Sequence, residues 1–201
     1  MEKFIQFIKK DSLSEKDFYD DNLNKKTFDN LNHVLLDLFK KIGGNSFNNG
    51  LLRVHSFSSS FFWTDIVTTF FENYKNDCFC FAYDWMGRQF AYSFKNDIEK
   101  ILMFDCCTGE VFEMNQTIKK FFNEDLVDYI DDTLDTLTFE TFLKTNNINH
   151  LDPKKCISYK KPLFLGGIDT IENLEIADLE VNWEINYQIF CKIKKPNSAN
   201  M

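Results

Sequence analysis

The side chains best suited to chemistry here are six cysteines and a few histidines. Cys78-x-Cys80 would point two thiols to the same face of a strand. Zinc sites usually space their ligands by two to four residues in a turn, so this spacing argues against a metal centre. Cys106 or Cys107 could act as a nucleophile only beside an activating base. His55 and His150 are the available bases, and no spacing joins them to either thiol as a triad. The placement of Cys78, Cys80, Cys106, Cys107, Cys156 and Cys191 points instead to reduced, mostly buried thiols acting as small hydrophobes. Gly166-Gly167 lacks the Lys-Ser/Thr that follows the second glycine of a phosphate loop. The residues therefore assign no catalytic group, no metal ligand and no cofactor.

Two sets of residues are candidates for binding a partner. Asp125, Asp128, Asp132 and Asp135 fall on one face of a helix expected over 124–134, with Leu126, Ile130, Leu134 and Leu137 on another. They read either as a solvated acidic face or as stacked carboxylates held ready for a cationic partner. Their spacing is not that of an EF-hand. The second set is Trp85 and Arg88 in the turn Asp84-Trp85-Met86-Gly87-Arg88. In one reading Gly87 supplies a positive φ, Trp85 covers one end of the core and Arg88 pairs with Asp84 or Asp105. In the other, Trp85 and Arg88 project outward, as side-chain types enriched at binding hot spots.

The elements that must position these residues follow from periodicity. Residues 78–115 read as four short strands with tight turns at 84–88 and 107–110, a four-stranded antiparallel meander. Before it, Glu2–Lys10 is a short helix or a first strand, and Ser12-x-x-Glu15 is a possible capping box for a brief helix through Phe18 and Tyr19. A helix is expected over 27–42, stopped by Gly43-Gly44, then a strand over 51–55 and a helix over 61–74 capped by Ser58 or Ser59. After the meander come helices over 117–122, 124–134 and 138–145, then a polar connection over 150–161. From Leu179 to Ile189 apolar and polar residues alternate, which favours a strand, while Asp178 as an N-cap permits a helix; the tail from Lys194 looks frayed. The fold class is α+β: a mainly antiparallel sheet packed with N-terminal and C-terminal helices.

With 31 acidic against 23 basic residues, the net charge of −8 disfavours a nucleic acid surface, as does the presence of only two arginines, Arg53 and Arg88. A basic protein would be attracted. The most apolar stretch, Phe57–Phe71, is interrupted by Asp65 and is too short to span a bilayer, and no leader pattern opens the chain, so a cytoplasmic location is expected. The 44% hydrophobic content is enough for a self-sufficient core.

Residues from about Phe28 to Thr69, especially 43–55, resemble the GAD-like family, although the Leu-Pro that often opens its helix is missing. Asp84–Phe90, Cys107–Val111, Pro162–Gly167, Glu172–Glu175 and Asp178–Trp183 resemble the C-terminal domain of type VI secretion immunity proteins. The resemblance implies two regions, 1–77 and 78–201, packed as one unit. It implies a cytoplasmic, non-enzymatic protein that binds and neutralises a cognate toxin, a DNase in the best-known cases, and it favours the helix after Asp178. The partner-binding residues expected on this reading are Trp85, Arg88, Asp125, Asp128, Asp132 and Asp135. The competing readings are a general interaction or regulatory module related to GAD domains, and a thiol-dependent enzyme.

Overall fold

The structure, a computed structural model, describes residues 1–14, 33–95 and 99–194. Its frame is a seven-stranded, wholly antiparallel sheet in the order β1 to β7. The strands are β1 (Lys10–Ser14), β2 (Asn45–Phe47), β3 (Leu52–Val54), β4 (Cys78–Asp84), β5 (Gln89–Ser93), β6 (Lys100–Asp105) and β7 (Glu110–Met114). The expected meander is β4 to β7. β3 pairs with β4 across residue 77, so the sheet runs without a break from the first region into the second.

Position in the sheet explains the composition of each strand. β4 is buried along its whole length and reads Cys-Phe-Cys-Phe-Ala-Tyr-Asp, as a strand covered on both faces must. At the edge, β7 exposes Glu110, Phe112 and Glu113, and edge charges of this kind discourage pairing with another chain. Adjacent residues of β5 face different helical layers. Gln89 meets His55, next to α3 (Phe57–Phe70), whereas Phe90 meets Phe121 on the other side, with ring centroids 5.1 Å apart. On β4, Phe79 packs against Phe61 at 4.9 Å and Phe81, at a register irregularity, against Phe121 and Phe122 at 5.9 and 6.0 Å.

Several boundaries differ from the sequence reading. Glu2–Phe7 is a helix, α1, but Ser12 lies in strand β1 and so opens no helix; Phe18 and Tyr19 lie outside the described residues. Of the helix expected over 27–42, the described part is α2 (His33–Ile42), which buries Leu35, Leu38 and Ile42. α3 starts earlier than expected because Ser56, rather than Ser58 or Ser59, accepts the capping hydrogen bond, from the Ser59 N–H at 3.2 Å.

The single helix expected over 124–134 is broken. α4 (Ile118–Lys120), a π-helical turn (Phe121–Asp125), α5 (Leu126–Asp128) and α6 (Ile130–Leu134) follow one another, with a non-helical Tyr129 between the last two. The π turn lets the adjacent Phe121 and Phe122 both reach the core. Asp135, at φ 49°, ends α6 and caps α7 (Thr136–Thr145) by accepting from the Thr138 N–H.

The polar connection expected over 150–161 contains a strand, β8 (Lys155–Tyr159), paired antiparallel with β9 (Leu174–Asp178). Four buried residues flanked by lysines were too short a run to stand out. Beyond Asp178 the chain is helical: α8 (Leu179–Lys194) buries Leu179, Asn182, Trp183 and Asn186, an i, i+3, i+4, i+7 set. The tail at 195–201 lies outside the described residues. Among the described residues no helix is long and apolar enough to cross a membrane.

Candidate interaction surface

The turn at residues 84–88 joins the main sheet to the β8–β9 pair, α7 and α8. Trp85 has no exposed surface; its Nε1–H donates to the Leu134 carbonyl at 2.6 Å and its ring lies 5.6 Å from Phe139. Its own carbonyl accepts from the Ile157 N–H of β8 at 2.8 Å. Gly87, at φ +80°, has Leu179 and Cys156 packed where a Cβ would stand, 2.7 Å from Leu179 Cδ1. The Gly87 carbonyl accepts from Trp183 Nε1–H at 2.9 Å. The main sheet, the β8–β9 pair, α7 and α8 therefore converge on five residues. Trp85 accordingly presents nothing to a partner.

Arg88 is tied into the same turn. Its Nε–H donates to Asp84 Oδ2 at 2.5 Å, while Asp84 Oδ1 accepts from the Met86 and Arg88 N–H groups, each at 3.0 Å. Burial alone would lower the Arg88 pKa, but the carboxylates of Asp84 and Asp105 outweigh it and hold the guanidinium charged. Burial pushes the Asp105 carboxyl up, against Arg88 and the N–H groups of Cys107 and Thr108. Arg88 thus neutralises two enclosed carboxylates, with only 17% of its side chain exposed.

Arg53 and His55 form a second enclosed group that sequence reading passed over as parts of an apolar strand. Arg53 donates to the carbonyls of Asp84, Lys155 and Asp152 at 2.8, 2.7 and 3.2 Å and lies over the Tyr83 ring, 4.5 Å from its centroid. His55 donates from Nε2 to Gln89 Oε1 at 2.8 Å, faces Ser59 Oγ through Nδ1 at 3.1 Å and stacks on Tyr83 at 4.7 Å. Burial lowers its pKa to about 3, so the imidazole is neutral. The only hint in the sequence was an Arg and a His two residues apart in a strand otherwise buried.

The cysteines are all free thiols, and all except Cys191 are buried. Burial pushes Cys78 and Cys156 up to about 12, and Cys80 and Cys106 well up too. Cys107 alone is lowered, by its hydrogen bonds with Cys106 and then with Ser158, whose Oγ lies 3.2 Å from its sulfur. Neither candidate base meets these thiols: His55 is engaged by Gln89 and Ser59, and His150 by Asp11 at 3.2 Å. Asp105, Cys106 and Cys107 bring three donor atoms within 4.8 Å of one another, but the carboxylate is committed to backbone N–H groups and to the charge of Arg88. Ser158 donates to Asn182 Oδ1 at 2.8 Å, and Asn186 Nδ2 donates to the same oxygen at 3.0 Å, so this cluster serves to seat α8.

The broken helix scatters the four aspartates. Asp128, Asp132 and Asp135 are exposed, whereas Asp125 is half-buried and accepts from Gln116 Nε2, burial raising its pKa. They do not stack on one regular helical face, because the break at Tyr129 and the left-handed Asp135 shift the phase between them.

Comparison with known proteins finds a family likeness in the C-terminal part of the chain. Residues 115–190 match the family described as T6SS immunity protein Tdi1, C-terminal. The matched span begins after β7 and takes in α4 to α7, the β8–β9 pair and α8 as far as Phe190. It leaves out the Asp84–Phe90 and Cys107–Val111 motifs, and it gives no support to the GAD-like resemblance of the N-terminal region. The crystal structure of Atu4351 from Agrobacterium tumefaciens superposes on 93% of this chain and 88% of its own with a TM-score of 0.60, at 16% identity, so the two share a fold. No curated protein matches the chain.

Proposed function

We propose that the protein is a type VI secretion immunity protein that neutralises a cognate toxin by binding it stoichiometrically in the cytoplasm. The match of residues 115–190 to the Tdi1 C-terminal family carries this reading. Binding needs a rigid framework and a displayed surface, and the turn at 84–88 supplies the rigidity by tying four layers together. A net charge of −8, with Asp128, Asp132 and Asp135 in solvent, would draw in a basic toxin such as a nuclease and speed encounter.

Co-expression with the product of the neighbouring gene tests the proposal. The chain should restore growth to cells that make that product and should co-purify with it. Rescue without a physical complex would defeat the direct-binding mechanism.

A further inference from the structure

The turn that joins β6 to β7 carries two adjacent thiols and is also the seat of α8. Cys106 Sγ and Cys107 Sγ stand 3.9 Å apart, both buried. Three residues along one stripe of α8 rest on this turn. Asn182 Nδ2 donates to Cys106 Sγ at 3.5 Å, Asn186 Nδ2 donates to Cys107 Sγ at 3.9 Å, and the Phe190 ring fills the space where a Cβ on Gly109 would stand. Their i, i+4, i+8 spacing sets successive turns of the helix on residues 106–109.

The two sulfurs are unequal. Cys107 meets hydrogen-bonding groups on several sides: the Cys106 thiol, Ser158 Oγ at 3.2 Å, the Tyr159 N–H and Asn186 Nδ2. When the Ser158 hydroxyl turns to Cys107, Asn182 Oδ1 keeps a second donor, Asn186 Nδ2 at 3.0 Å. These bonds, that with Cys106 first, outweigh burial and hold the Cys107 pKa below its ordinary value, whereas burial keeps Cys106 protonated. Cys156, equally enclosed, is pushed up to about 12. A more acidic sulfur beside a protonated thiol is the arrangement of an attacking and a resolving cysteine.

We infer that Cys106 and Cys107 are a redox pair: a hydroperoxide converts them to a disulfide, and the closure unseats α8. The Cys107 thiolate attacks one peroxide oxygen, an S–O bond forming as the O–O bond breaks, and the departing hydroxide takes the Cys106 proton and leaves as water. The Cys106 thiolate then attacks the Cys107 sulfur, forming the S–S bond and expelling the oxygen as a second hydroxide, which is neutralised by the proton that Cys107 released on ionising. Two thiols are oxidised, one peroxide is reduced and two waters form. The bond draws the sulfurs from 3.9 Å to about 2.05 Å. Consecutive Cα atoms are about 3.8 Å apart, closer than those of an ordinary disulfide, so the turn itself must move. That movement withdraws both sulfurs from Asn182 and Asn186 and shifts Gly109 against Phe190. Enclosure makes the reaction wait on a local opening, and hydrogen peroxide needs a smaller one than an alkylating reagent. The chemistry needs no toxin and is independent of the immunity reading.

The test uses the whole folded protein and hydrogen peroxide. After exposure at neutral pH the protein is denatured, free thiols are alkylated and tryptic peptides are analysed by mass spectrometry. Peptide 101–119 holds Cys106 and Cys107 and no other cysteine. It should lose about 2 Da and escape alkylation, and dithiothreitol should reverse both. In the oxidised protein the amides of residues 179–191 should exchange about tenfold faster than in the reduced protein, with β4 to β6 unchanged. Cys106→Ser should form no disulfide, and peroxide should leave the exchange of its α8 unaltered; the wild-type measurements stand without it if the variant does not fold. Alkylation of both thiols in peptide 101–119 once peroxide has oxidised Cys191, a cross-link from this peptide to peptide 156–160, or oxidation of Cys107 past the sulfenic acid with no disulfide would overturn the pairing. A disulfide that leaves α8 exchange unchanged would overturn the coupling.

Discussion

Acidification should destabilise this protein through His55 more than through an ordinary histidine. In the unfolded chain an imidazole takes up a proton near pH 6.5, while burial holds the folded His55 neutral down to about pH 3. Between those values the unfolded state binds the extra proton, so stability is complete above about pH 6.5 and is lost as the pH falls towards 3. At pH 4.5, two units below the unfolded value, the loss is about 2.7 kcal/mol, at 1.36 kcal/mol per unit. Carboxylates titrate in part of the same window, so the contribution must be isolated by difference. Urea unfolding of the wild type and His55→Gln at pH 7.5 and 4.5 supplies it: the variant should lose about 2.7 kcal/mol less on acidification, whatever its stability at neutral pH. Equal losses in the two proteins would refute a neutral, enclosed His55.

Two further outcomes follow from the buried clusters. Trp85→Phe removes the donor to the Leu134 carbonyl and shrinks a fully enclosed ring, and should cost about 2–4 kcal/mol in urea unfolding while leaving partner affinity of the folded protein unchanged. A weakened complex at equal folding would place Trp85 at the interface after all. In native protein a thiol reagent should label Cys191 quickly and the other five cysteines only on unfolding; a second fast thiol would contradict their burial.

Much of the frame could be read directly from residues. The meander was visible because Cys78–Asp84 and its neighbours form short apolar runs punctuated by Gly87 and Gly109, both at positive φ. The joining role of Asp84–Arg88 was one of two readings open to the sequence. What decided it was the arrival of Leu134, Ile157 and Trp183 from distant parts of the chain. The acidic row failed for a related reason. Helical spacing puts Asp125 to Asp135 in phase only on a continuous α-helix, and the chain leaves the helix at Tyr129 and again at the left-handed Asp135, which breaks the phase.

By itself the sequence determined the acidic character, the absence of a recognisable catalytic spacing and the antiparallel core, because charge, composition and local period need no partners to be seen. For α8 the residue pattern left strand and helix open and the family resemblance favoured the helix, but only the tertiary structure decided which side of it faces inward. Its alternation of apolar and polar residues suits a strand as well as a helix, and its asparagines turn inward only because Ser158 and the cysteines of a distant turn are there to bond them. That inversion puts Val181 and Ile185 in solvent, so the outer face of this helix is set by contacts on its hidden side.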